Sequence, residues 1–336
     1  MISKSIWLTL AIFTTVIFLL IIPVSAHAQV THRASAASYL ERGNAWAAKG
    51  EWERAIADFD LAIAFDPSFA GAYYNRAIAR HRVGNLVGAL ADLDRAIRLN
   101  LNYVEAFVNR GAIRYARGDL PGAISDSAKA IELNPHLLEA WNNRGLARRD
   151  GGNLDGALAD FDQMIKLDSR RAEGYNNRGG IRFLKLDLDG AISDYDKALK
   201  LAPDFAEAYN NRGSARQLKG DLDGAIADYS RAIKIHPRLT NSYYSRAQAW
   251  RAKGDLEQAI SDYNKAIEMN PRHADAYGNR ALIRLLQCKD AEAEQDFAQC
   301  LSLDKRCRSR WGGEIKQIKS MARCGAVVTP QPIMKR

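Results

Sequence analysis

Apolar and small residues recur along this chain with one fixed period of 34 residues. With columns numbered 1–34 from Ala36, column 4 is always aromatic: Tyr39, Tyr73, Phe107, Trp141, Tyr175, Tyr209, Tyr243, Tyr277. Column 8 is always Gly or Ala, column 20 is always Ala, column 24 is mostly Phe or Tyr, and column 27 is mostly Ala. Columns 4, 8 and 11, then 20, 24, 27 and 28, carry the three-to-four-residue spacing of helix faces. A breaker such as Gly118-Asp119 or Gly220-Asp221 separates the two runs. Glycine suits the left-handed end of a first helix, and Asp or Asn can cap a second. Pro121 falls just inside that second helix, where its missing N–H costs nothing. Each block therefore predicts a helix, a tight turn and a second helix. The small residues let the two backbones approach, and the column 4 aromatic fills space beside them. One pair cannot bury this face alone, whereas stacked neighbours can.

Eight blocks follow one another from 36 to 307 without an insertion. A chain of 336 residues would suggest two or three domains by length alone, but the period makes this one extended repeat domain. The polar positions keep the same period. Column 7 is Arg in every block: Arg42, Arg76, Arg110, Arg144, Arg178, Arg212, Arg246, Arg280. Column 11 is Arg in six blocks and Trp at Trp46 and Trp250. Column 23 is always Asp, from Asp58 to Asp296. Columns 7 and 11 stack on one helix face. Facing the aspartate of the second helix, they predict a ladder of Arg–Asp pairs inside and between repeats, with each guanidinium forking onto a carboxylate. The competing reading is a basic groove for a polyanion. The recurrence of an Asp for every column 7 Arg favours the ladder, and the formal charge of +9 then speaks to partners only after the scaffold is set aside.

These residues resemble the tetratricopeptide repeat family, over residues 36–307. The resemblance implies an all-α, right-handed α-solenoid of eight helix-turn-helix units, with first helices lining a concave groove. It also implies a role in binding a protein or peptide, with no cofactor. The family usually has an apolar residue at column 7 and a tyrosine at column 11, so the arginines are a departure. If the family geometry holds, columns 2, 5, 6, 9, 12 and 13 face the groove. Column 6 supplies Asn75, Asn109, Asn143, Asn177, Asn211 and Asn279, and column 5 supplies Asn142, Asn176 and Asn210. A side-chain amide both donates and accepts, so this row could hold a peptide backbone or bond repeat to repeat. Tyr74, Arg82, Tyr115, Arg149, Phe183, Tyr244 and Arg251 vary between repeats and would select partner side chains. Column 2 is acidic in the middle of the chain, at Glu105, Glu139, Glu173 and Glu207. Some family members clamp a C-terminal carboxylate with Lys, Asn and Arg. Here the required basic positions are Leu40, Glu105 and Asn109, so that clamp is not expected. Nucleic acid is not an expected partner either, because the groove columns lack clustered Lys and Arg.

Ahead of the repeats, Lys4 supplies a basic start, Ile6 to Ile22 is apolar or hydroxylated, and Ala26-His27-Ala28 is a small-x-small site. Residues 1–28 read as a signal peptide cleaved after Ala28, followed by an extension over 29–35. This points to a periplasmic or secreted protein of a bacterium. Membrane attachment follows only if the segment stays uncleaved. The four cysteines, Cys288, Cys300, Cys307 and Cys324, fit an oxidising compartment and contain no C-x-x-C pair that would suggest zinc. Residues 308–324 read as a capping helix, with Trp311 on column 4 and Ile315 on column 8. The cap would place Cys324 near Cys288 and leave Cys300 with Cys307, although other connectivities remain open. Residues 325–336 read as a loose tail. The histidines are dispersed, and no nucleophile, metal or phosphate-loop motif is present, so no enzyme is expected.

Overall fold

The computed structural model describes residues 35–322, and every regular element among them is a helix. They form two compact units that divide between Asn153 and Leu154. The first holds α1 (35–48), α2 (Trp52–Phe65), α3 (Ala70–Arg82), α4 (Leu86–Leu99), α5 (Val104–Ala116), α6 (Leu120–Leu133) and α7 (Leu138–Asp150). The second holds α8 (Leu154–Leu167), α9 (Ala172–Leu184), α10 (Leu188–Leu201), α11 (Ala206–Lys219), α12 (Leu222–Ile235) and α13 (Thr240–Lys253). It continues with α14 (Leu256–Met269), α15 (Ala274–Leu286), α16 (Asp290–Leu303) and α17 (Cys307–Ala322). Within each unit, helices adjacent in sequence pack on one another. First helices also touch across repeats, as α5 does with α7 and α9 with α11. The expected signal peptide, Cys324 and the expected tail lie outside the described residues.

The turns follow from single residues. Gly50, Gly84, Gly118, Gly152, Gly220 and Gly254 take positive φ after a first helix, as expected for a left-handed helix end. The next residue caps the second helix. Asp119, Asp187 and Asp221 accept from the backbone N–H of Gly122, Gly190 and Gly224 at 2.9–3.0 Å. Between repeats, Asp66, Asn100, Asn134, Asp168, Asn270 and Asp304 each accept from the N–H two residues on, which closes the connecting turn. Two turns break the glycine rule: Leu186 and Cys288 hold φ of 62° and 59°.

The core is built from close approach. The column 20 alanines of both units are 0–2 % exposed. A Cβ added to Gly179 or Gly213 would sit 2.8 Å from the ring of Tyr195 or Tyr229, so the ring occupies the space a side chain would need. In these repeats column 8 is small because column 24 is large.

The arginine ladder is the most regular polar feature. Arg76 is representative. Its Nε and Nη2 donate to Asp92 at 2.9 and 2.6 Å, and its Nη1 donates to Asp60 of the preceding repeat at 2.5 Å. The guanidinium carbon also lies 5.4 Å from the ring centroid of Tyr73. Arg80 donates to the same Asp92 at 2.7 Å. The arrangement repeats at Arg110 with Asp126 and Asp94, at Arg178 with Asp194 and Asp162, and at Arg212 with Asp228 and Asp196. Arg42, Arg246 and Arg280 pair with Asp58, Asp262 and Asp296, and the latter two arginines reach back to Ser230 and Asn264. The Asp194 hydrogen bonds hold the Arg178 guanidinium above its ordinary pKa, against the opposing effect of burial. An outer ladder repeats the connection on the surface. Lys185, Lys219 and Lys253 pair with Asp155, Asp189 and Asp223 of the preceding repeat. These exposed pairs contribute little to stability, roughly 0–1 kcal/mol each.

Breaking a buried pair by removing one partner typically costs about 3–5 kcal/mol. A cycle of Arg212→Met and Asp228→Asn, followed by urea denaturation, is expected to give a coupling of at least about 1 kcal/mol. Additive losses would remove the ladder from the account of stability. Leu186→Gly is expected to raise stability by roughly 1 kcal/mol, because Leu bears the left-handed conformation that glycine occupies freely. A lower urea midpoint would contradict that assignment.

Candidate functional site

The first helices carry the residues expected to bind a partner. In the first unit Asn75 donates to Asn44 at 2.7 Å. Asn109 donates to the Tyr74 hydroxyl at 3.0 Å and to the Glu105 carbonyl at 2.9 Å. The Tyr74 and Tyr103 rings lie tilted against each other at 35°, with centroids 4.9 Å apart. Arg82 is exposed and lies over the Trp52 ring. The Tyr115 hydroxyl donates to Asp150 at 2.6 Å, and Arg149 donates to the same carboxylate at 2.7 Å. Those two bonds unite Tyr115, Arg149 and Asp150 in one cluster. Asn142 and Asn143 are half-buried on α7.

In the second unit Asn211 donates to Asn176 at 3.0 Å, and Asn210 accepts from Ser242 at 2.9 Å. Asn176 also approaches the Asn177 oxygen at 3.5 Å. Phe183 is half-buried and packs against the cluster around Tyr195. The amide row is thus engaged from repeat to repeat: the column 6 amides of Asn109, Asn211 and Asn279 each donate to column 5 of the repeat before.

The last repeats differ from expectation. Asn279 is 1 % exposed, and its N–H groups go to the Tyr244 hydroxyl at 3.1 Å and the Asp275 carbonyl at 2.9 Å. It is a packing staple and is not available to a ligand. Tyr244 also accepts from Gln248 and lies against His273 and Tyr263. Burial pushes its hydroxyl pKa up to about 12, so it stays protonated. Arg251 faces Glu314 of α17 at 3.7 Å. The partner helix α17 packs mainly on α15. A Cβ on Gly278 would meet the Trp311 indole at 2.4 Å, and Arg310 pairs with Asp275.

One set of contacts went unpredicted, and so did the column that supplies the between-repeat aspartates. Every column 7 Arg sits over its column 4 aromatic, from Arg42 over Tyr39 to Arg280 over Tyr277. The signal was present as an aromatic three residues before each arginine. The column 25 aspartates Asp60, Asp94, Asp162 and Asp196 take the second arm of the next repeat's arginine. Their recurrence two residues after the column 23 aspartates was the available cue.

Models of the tetratricopeptide repeat match residues 74–137, 206–239 and 240–273, and a model described as TPR repeat matches 43–84 and 182–220. The chain belongs to the tetratricopeptide repeat family. No curated protein matches it. Among solved structures, it is similar to a tetratricopeptide repeat protein from Parabacteroides merdae, at 20% identity and a TM-score of 0.61, over 70% of this chain and 94% of that one. It is also similar to the APC/C hetero-tetramer Cut9-Hcn1, at 14% identity and a TM-score of 0.63, over 83% of this chain and 55% of that one. The MamA protein shares 27% identity over 51% of this chain and 94% of that one, with a TM-score of 0.43. The first two likenesses agree with an all-α helical repeat fold. Tetratricopeptide repeats make the chain a protein–protein interaction scaffold, a fold that is typically non-enzymatic.

Cys300 and Cys307 form the disulfide expected between them, with Cα atoms 6.0 Å apart. It joins the last turn of α16 to the first residue of α17. Cys288 is exposed, and its expected partner Cys324 lies outside the described residues. Replacing Cys300 and Cys307 by Ser is expected to cost about 2 kcal/mol and to speed amide exchange in α17 first. Exchange unchanged in α17 would show that packing on α15 holds the helix without the bond.

Proposed function

We propose that the open face of the first helices binds an extended segment or a helix of a partner protein in a concave groove. One observation carries this reading. Packing and the charge ladder consume columns 4, 7, 8, 11, 20, 23, 24 and 27. On α7, α9 and α11, columns 2, 5, 6, 12 and 13 stay half-buried or exposed. Asn211 spends an N–H on Asn176 and keeps a second N–H and its oxygen. Tyr74, Tyr115 and Phe183 would then choose side chains. Tyr244, Arg251 and Asn279 contribute less, since α17 and the last repeats occupy them.

A polyanion-binding role loses support from the same ladder. The column 11 arginines Arg80, Arg114, Arg182, Arg216 and Arg284 on the first helices are committed to Asp92, Asp126, Asp194, Asp228 and Asp296. Export to the periplasm or beyond remains the favoured location. Its supports are the small-x-small site at Ala26-His27-Ala28 and the Cys300–Cys307 disulfide. A membrane-tethered adaptor is the outcome if the leading segment is retained.

The Asn143→Ala/Asn177→Ala/Asn211→Ala variant is expected to fold and to capture its partner at least about tenfold more weakly than the native chain. Circular dichroism checks the fold, and quantitative crosslinking and pull-down check capture. Unchanged capture would remove the amide row from the mechanism.

A further inference from the structure

We propose that two parallel stripes on α9 and α11 bind a partner-protein segment that is basic at one end and apolar at the other. The proposal rests on the groove reading above and assigns its ligand chemistry. Columns 2, 6, 9 and 13 are spaced by four, three and four residues, so they fall on one face of a helix. On α9 that face reads Glu173, Asn177, Gly180 and Leu184. On α11 it reads Glu207, Asn211, Ser214 and Leu218. The bond from Asn211 to Asn176 ties the two helices side by side. Two carboxylates therefore share one edge and two leucines the other, about 16 Å apart along the helix axes. An extended segment covers that distance with about five residues.

The acidic edge is open. Glu173 and Glu207 are exposed and enter no ion pair among the described residues. The column 18, 23 and 25 aspartates of α10, namely Asp189, Asp194 and Asp196, are all paired. A first-turn glutamate suits the helix N-terminus, but that does not account for the opposite edge. There Leu184 and Leu218 are 52% and 48% exposed, and Leu186 is 72% exposed. Leu186 also holds the left-handed φ that six other repeats give to glycine. The Lys219–Asp189 pair fixes the start of α10, just after Leu186, beside the end of α11 that carries Leu218. These leucines of adjacent repeats leave about half or more of their surface in water, one of them in a strained conformation, and such outliers gather where a surface is used.

The floor between the edges is low. A Cβ on Gly180 would come no closer than 4.0 Å to any neighbour, the Tyr195 hydroxyl, so a ligand backbone can lie there. The carboxylate edge selects Lys or Arg and repels a polyanion. The leucine edge selects large apolar side chains.

The test is a displayed library of random peptides about twelve residues long, enough to span both edges, selected on the full chain. Enriched peptides are expected to pair Lys or Arg with Leu, Ile, Phe or Met at about five-residue separation. The best peptide, remade in solution, should bind E173Q/E207Q and L184S/L218S each about tenfold more weakly. Its salt dependence should shrink in the first variant. Both changes are on exposed side chains, so circular dichroism should match the native chain. Peptides without a basic residue, or equal binding to E173Q/E207Q, would overturn the assignment. Peptides of another chemistry that lose binding in N143A/N177A/N211A would sink the assignment and leave the groove reading standing. No enrichment at all would sink both.

Discussion

A carboxylate buried in a helical hairpin is the constraint on which the rest of this structure depends. Asp92, Asp194 and Asp228 are almost without solvent, and a buried charge is tolerated only when paired and hydrogen-bonded. Each is met by a forked arginine from column 7 and a second arginine from column 11. The fork fixes the register of the two helices in one repeat, because a slip by one residue would strand both charges. The third arm of the same guanidinium reaches the aspartate of the repeat before, so the interaction that sets the hairpin also sets the stacking. Where the neighbour offers Ser230 or Asn264 instead, the arm keeps a hydrogen bond and loses a charge pair.

The same constraint decides where part of the positive charge lies. The formal charge of +9 suggests a basic surface. In the structure the arginines lie against aromatic rings and aspartates, where their planar groups do the work of the apolar residues the family normally uses. What remains for a partner is the less regular part of the first helices, and its character is amide, acidic and apolar by turns.

Legibility follows repetition. The hairpins, the glycine turns, the aspartate caps and the Arg–Asp fork were readable because many copies repeat one physical solution. The column 25 arm was harder to read because only Asp60, Asp94, Asp162 and Asp196 keep the acid. The amide row was ambiguous in principle, since an asparagine that bonds to the next repeat and one that bonds to a ligand look alike in sequence. Asn211 and Asn109 bond repeat to repeat. The loss of Asn279 to the interior could not be read from its own repeat. Asn279 makes the same two kinds of bond as Asn109, and only the packing around it, which buries it to 1 %, sets it apart.

A periodic scaffold also makes its exceptions interpretable. When six turns solve the left-handed position with glycine, Leu186 and Cys288 mark places where the local optimum was not taken. Gly111 faces Ser127 where most other repeats set an aromatic ring against the small column, and that hydroxyl is buried without a partner among the described residues. The two kinds of exception differ in direction. Ser127 gives up packing inside the hairpin and presents nothing to solvent, so its effect ends in the stability of its own repeat. Leu186 gives up backbone ease and presents an apolar side chain outward, two residues after the exposed Leu184. Only the second kind changes what another molecule would meet, and it does so on the helices whose opposite edge carries the unpaired glutamates.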